Sequence, residues 1–180
     1  MTIETLYKDY PIKPYISPER DIKKWLSDVQ LGTEKIVPKR NMIMLENKLL
    51  PGDIILLWRI GFGTFTSESV FPKYFEYTYG ICGQVHLDML IKQGYVIKHA
   101  TLDSLQHVNG STLRSLLKLK NVSKLSVKTK AELEQLIQQH YTESQFKNYI
   151  NICGYQLTLK GQQALQQGQS VVDKHPKKGS

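Results

Sequence analysis

Cysteine is scarce in this chain of 180 residues, with only Cys82 and Cys153, and the two lie in different segments. A disulfide framework is thereby excluded as the organising device, and both read as ordinary buried thiols of a reducing compartment. No run of 18 apolar residues occurs, which excludes a helical membrane anchor. The first residues also lack the charged-then-apolar layout of a secretory leader, so the expected location is cytoplasmic and no membrane partner is expected. Catalytic spacing is missing too. Gly61-Phe62-Gly63 is not followed by Gly-Lys-Ser/Thr, so it is no phosphate loop. Cys82 and His86 stand four apart, but without a second ligand pair they make no zinc site, and they read as a buried thiol and a surface histidine. Glu76, His86 and Asp88 match no hydrolase or nuclease spacing, and His99 and His107 read as boundary residues. These absences predict a protein that is not an enzyme and uses no cofactor or metal.

What remains is basic and globular. Apolar residues make up 41% of the chain, enough for one ordinary domain or two small ones. Acidic residues number 16 against 24 lysines and arginines, giving +8 and an isoelectric point near 9.4, which suits a polyanionic partner.

Residues 1–69 divide into three parts. Tyr7, Tyr10-Pro11, Pro14-Tyr15 and Ser17-Pro18 favour extended or turning backbone, so residues 1–20 are expected to form an arm. Ser17-Pro18-Glu19 predicts the start of a helix reaching Gln30, closed by Gly32, with Ile22, Trp25, Leu26 and Val29 on one side. Two apolar runs follow, Met42 to Leu45 and Ile54 to Trp58, the second a helix or strand ending near Ile60 and leading into a loop or hairpin. Nothing in residues 1–69 assigns them a role.

Residues 70–100 carry aromatics from Phe71 to Tyr79, then a helix over Val85 to Ile91 stopped by Gly94, then a strand at Tyr95-Val96-Ile97. The aromatics read as core, with base stacking as the other use of such a run. Tyr155-Gln156-Leu157-Thr158 reads as a second strand opening a last helix, Gln162 to Gln167. The two strands are expected to pair antiparallel, because neither satisfies its backbone alone. Residues 169–180 read as a mobile basic tail.

Between those strands lies the most structured stretch, Thr101 to Phe146. Leu113, Leu116 and Leu117 recur at helical spacing over Gly110 to Leu119, with Ser111 and Thr112 available as caps. From Asn121 to Val127 polar and apolar residues alternate as in an extended segment. A second helix then carries Ala131, Leu133, Leu136 and Ile137, capped by Ser126 or Thr129, with Glu132 in capping-box register to Thr129. Leu105, Leu113, Leu116, Leu117, Leu133, Leu136 and Ile137 are predicted to share one core.

Leu113-Arg114-Ser115-Leu116-Leu117-Lys118 and Lys128-Thr129-Lys130-Ala131-Glu132-Leu133, behind the lead-in Leu102-Asp103-Ser104-Leu105, resemble the SAP motif, a helix-extension-helix module. Lys128 stands where the motif has glycine and Arg114 where lysine is commoner. Helix, Gly94, Tyr95 strand, then Tyr155-Gln156-Leu157-Thr158-Leu159-Lys160-Gly161 resemble the approach to and return from the wing of winged-helix domains. Taken together, about residues 70–168 resemble small bacterial and phage SAP-domain proteins. The resemblance implies an α+β, mostly helical fold: a winged-helix-like element (70–100 and 151–168) carrying an inserted SAP-like module (101–146). It also implies sequence-tolerant DNA binding, with duplex DNA as partner, at the start of the second helix. The matching site residues are Ser126, Lys128, Thr129 and Lys130, and Arg114, Lys118, Lys120 and Lys124 extend the basic face. Free amides and the helix dipole at such a start attract phosphate. The competing class is a protein-interaction factor, for instance of phage or mobile-element origin, docking on an acidic surface of a host or defence protein.

Overall fold

The computed structural model describes residues 1–177, and the chain is α+β and mostly helical. In order come α1 (Ile3–Leu6), α2 (Ile22–Gln30), α3 (Pro51–Gly61), α4 (Tyr74–Tyr77), α5 (Gly83–Lys92) and β1 (Val96–Lys98). Then follow α6 (Gly110–Leu119), α7 (Lys130–His140), α8 (Glu143–Lys147), β2 (Tyr155–Leu157), α9 (Leu159–Gln167) and α10 (Gln169–Lys174). The two strands pair. Thr158 N–H donates to Tyr95 O at 3.1 Å and His99 N–H to Gly154 O at 2.9 Å, which makes the pairing antiparallel, as the sequence predicts. Two compact units are present, residues 1–61 with 70–96 and 157 onward, and residues 62–69 with 97–156. Among the described residues no helix is long and apolar enough to cross a membrane.

The first unit is built on α3. Its residues Ile54, Ile55, Leu56 and Leu57 are all wholly buried, so the helix is apolar on every side and is surrounded by α5, α9, α10 and the turn Lys39–Met42. That all-round burial is why periodicity left helix and strand open. Asp53, 1% exposed, accepts from Leu50 N–H at 2.8 Å and lies 2.6 Å from His86 Nδ1. His86 is therefore a half-buried partner of a buried carboxylate and not a plain surface histidine. Cys82 stands at the start of α5, only half-buried, while Cys153 is buried.

Three further expectations change in this unit. The N-terminal arm is part of the core: Tyr7 is fully buried, its hydroxyl donates to Val37 O at 2.7 Å, and Tyr15 N–H donates to Gly80 O at 2.7 Å. Buried Tyr7 and Pro14 anchor it there, while Tyr15 stays exposed. The second helix starts not at Ser17-Pro18 but at Ile22, with Asp21 as cap, because the Glu76 carboxylate takes Ser17 N–H at 2.5 Å and Arg20 at 3.5 Å, holding Ser17 to Arg20 in a turn. At its other end Gly32, at φ +77°, closes the helix as the sequence predicts, with Thr33 N–H returning to Asp28 O and Gly32 N–H to Val29 O. The tail begins as a helix: α10 packs on α3, and a Cβ at Gly168 would stand 2.6 Å from Ile54. The part of the tail expectation that falls on residues 178–180 lies outside the described residues.

The second unit holds α6, α7 and α8. Leu105, Leu113, Leu116, Leu117, Leu133 and Ile137 share one core with Val108, Leu125, Tyr141 and Phe146, and Leu136 packs on it half-buried. The Tyr141 hydroxyl donates to Leu116 O at 2.5 Å, tying the end of α7 to α6. The Glu143 carboxylate accepts from Thr101 N–H at 2.8 Å, Thr101 Oγ at 2.5 Å and Leu102 N–H at 2.9 Å, so the lead-in is clamped to α8. From the preceding loop, Ser67 and Cys153 exchange bonds at 2.8 and 2.9 Å, and the Phe65 ring centroid lies 6.0 Å from that of Tyr155.

Candidate nucleic-acid interface

The basic residues are carried by α6, the segment after it and the start of α7. Helix α6 is capped by Asn109, whose Oδ1 accepts from Thr112 N–H at 2.8 Å; Ser111 and Thr112, the caps expected, lie inside the first turn. The segment after α6 is not extended. Asn121 and Lys124 have φ of +60° and +59°, and Leu125–Val127 form a 3-10 turn that buries Leu125 and leaves Val127 78% exposed. Two left-handed residues let a short connector reverse direction, which alternation alone does not reveal. Thr129 caps α7 and forms the expected capping box, with Glu132 N–H on its hydroxyl at 3.3 Å and its own N–H on Glu132 Oε2 at 3.0 Å.

That box alters the anion site. Of the first amides of α7, Glu132 N–H is taken and Thr129 N–H is taken, leaving those of Lys130 and Ala131. The Glu132 carboxylate also stands at the positive end of the helix dipole. The helix start thus offers two amides beside a fixed negative charge, fewer than the three or four an uncapped start would supply.

The eight expected residues separate into tethered and free. Arg114 is half-buried, with Nε donating to Leu125 O at 3.4 Å, so it holds the connector against α6. Lys130 Nζ donates to Gln106 O at 2.8 Å and stands 3.9 Å from Glu134 Oε1. Lys120 Nζ lies 4.8 Å from the Tyr141 ring centroid. Thr129 is occupied as cap. Ser126 is exposed on the 3-10 turn, and Lys118, Lys124 and Lys128 make no side-chain hydrogen bond or ion pair among the described residues. Gln106 and Tyr141, which position two of the lysines, were not among the expected residues. They are 24 and 21 positions away in the chain, so no local spacing points to them. His107 lies within the field of Lys130 and His99, and burial first, then those charges, hold its imidazole below the usual histidine range.

The charge itself is segregated. From Ser104 to Ala131 the chain carries Arg114, Lys118, Lys120, Lys124, Lys128 and Lys130 and not one acidic residue. No cluster of three or more histidine, cysteine or acidic residues that would hold a metal occurs among the described residues. No protein-family model, curated protein or solved structure matches this chain.

Proposed function

We propose that the second unit is a SAP-like module that holds the phosphates of duplex DNA without reading base edges, flanked by a winged-helix-like element formed by α5, β1, β2 and α9. The chain then serves as a non-enzymatic, cytoplasmic accessory factor. The observation that carries this reading is the acid-free interval from Ser104 to Ala131, in which Lys118, Lys124 and Lys128 stand unpaired among the described residues, on a frame fixed by a common core. Phosphate contact then rests on these three side chains and on Lys120, rather than on the capped start of α7.

The test is binding of a 20-base-pair duplex, followed by fluorescence anisotropy from 50 to 300 mM salt. Each neutralised phosphate contributes about 0.9 to the slope of log K against log salt, so K118Q/K124Q/K128Q should reduce the slope by about 2 to 3 for every sequence tried. Equal slopes for parent and variant refute the phosphate reading. Val127 and Leu119, 78% and 62% exposed beside the lysines, favour the second reading, an acidic protein surface with apolar patches. That reading takes over if neither protein binds DNA at 50 mM salt.

A further inference from the structure

In the first unit Arg59, in the last turn of α3, has no counter-ion among the described residues. Its Nε is buried and has no hydrogen-bond partner among the described residues, and none of the salt bridges there reaches its guanidinium. A buried donor left unpaired is costly, and more so when charged.

Arg59 lines a cleft of about 480 Å³ together with Trp58, Tyr74, Thr78, His175, Pro176 and Lys177. The size falls in the range of small-molecule sites. Its walls are aromatic: the His175 ring lies 4.7 Å from Tyr74 and 5.3 Å from Trp58, centroid to centroid, and stacks on Tyr79 at 5.6 Å. His175 Nδ1 is 2.6 Å from the Tyr79 hydroxyl. Burial raises the Tyr79 phenol to about 12, so it keeps its proton and donates to Nδ1. Burial, then the charge of Arg59, hold His175 below the usual range, so the ring is neutral and its remaining proton sits on Nε2. The cleft therefore presents flat apolar faces, two cationic side chains, Arg59 and Lys177, and one imidazole donor.

We propose that this cleft binds a small molecule combining a planar ring with an anionic group, the ring lying against Trp58 and Tyr74 and the anion on Arg59. A bidentate anion is what a guanidinium fork recognises, and an aromatic-walled cleft is what a planar ring fills. Phosphate- and carboxylate-bearing rings share this chemistry, so adenosine monophosphate and indole-3-acetate serve as separate probes, with adenosine and inorganic phosphate as half-ligand controls.

Binding is measured by isothermal calorimetry on the full chain at pH 7. At least one complete probe should bind with a Kd below 1 mM, at least tenfold tighter than either half-ligand. Arg59→Met should weaken it tenfold or more, while K118Q/K124Q/K128Q leaves it unchanged, which separates this site from the basic face of the second unit. Because Arg59 has no hydrogen-bond or salt-bridge partner to lose among the described residues, Arg59→Met should unfold no sooner than the parent on heating. Should that variant not fold, the indole N–H resonances of the parent decide. The Trp58 signal should shift with probe while that of Trp25, whose Nε1 donates to Lys35 O at 3.3 Å, stays in place. A null titration with both probes, an unmoved Trp58 signal, or full binding by Arg59→Met overturns the proposal.

Discussion

Replacing Glu143 by alanine removes the clamp that ties the lead-in to α8, and the size of the effect follows from which of its three donors water reaches. Thr101 is 1% exposed, so its amide and hydroxyl are left unpaired in the interior when the carboxylate goes, whereas Leu102 N–H, in a half-buried residue, is partly resolvated. Two orphaned buried donors at about 1 to 3 kcal/mol each give an expected loss of about 2 to 6 kcal/mol. Glu143→Gln, which keeps one acceptor but turns an amide toward a donor, should fall between alanine and parent. Burial alone would raise the Glu143 carboxyl, but the bonds from Thr101 and Leu102 and the charge of Lys147 outweigh it, and the group lies below its ordinary range. A carboxyl depressed on folding contributes its stability above the unfolded value, about 4.3, and loses it as pH falls through the lower folded value. The gap between parent and Glu143→Gln should then be constant from pH 5 to 8 and narrow below about pH 4. Urea unfolding by far-UV circular dichroism gives the free energies, and hydrogen exchange at the amides of Thr101 and Leu102 locates the damage. A loss under 0.5 kcal/mol with both amides protected as before would refute the reasoning.

Two further substitutions probe the frame. Leu116→Ala, at a side chain 6% exposed in the shared core, should cost about 2 to 5 kcal/mol in the same urea experiment, and no measurable change would remove α6 from that core. Gly161→Ala should destabilise although alanine is the better helix former by about 1 kcal/mol, because the new Cβ meets the Tyr95 carbonyl within van der Waals contact. A raised melting temperature for Gly161→Ala would contradict that close approach.

The parts of the fold legible in the sequence are those in which one period or one spacing carries the physics. Leu113, Leu116 and Leu117 mark the face of α6, Thr129 and Glu132 mark the box that starts α7, and the β-branched and aromatic residues at Tyr95 to Ile97 mark a strand needing a partner. What stays hidden is set by partners distant in the chain. Asn109 and Ser111 are equally good caps by type, and Asp53 meets His86 across 33 positions. Ser17 is kept from starting a helix by Glu76, 59 residues on. The candidate site shows the same division. The cations were legible as a cluster, but which of them the protein itself employs was not: the carbonyl of Gln106 holds Lys130 and that of Leu125 holds Arg114. Arg59 is not legible in the sequence, since an arginine beside an apolar run becomes conspicuous only once its surroundings among the described residues are known.

The antiparallel pairing of β1 with β2 sets how the chain can vary in length. His99 and Gly154 are joined by a 2.9 Å bond, so the 54 residues between them form a closed loop whose ends meet. Closure entropy depends only on the logarithm of loop length, and doubling such a loop costs about 0.6 kcal/mol. Lengthening or shortening the stretch between β1 and β2 is therefore cheap for the pairing itself. Shortening by one residue within either strand is not, because it turns every following side chain to the opposite face. Insertions and deletions in sequences descended from this one should accumulate between His99 and Gly154, with the registers at Tyr95–Thr158 and His99–Gly154 held fixed.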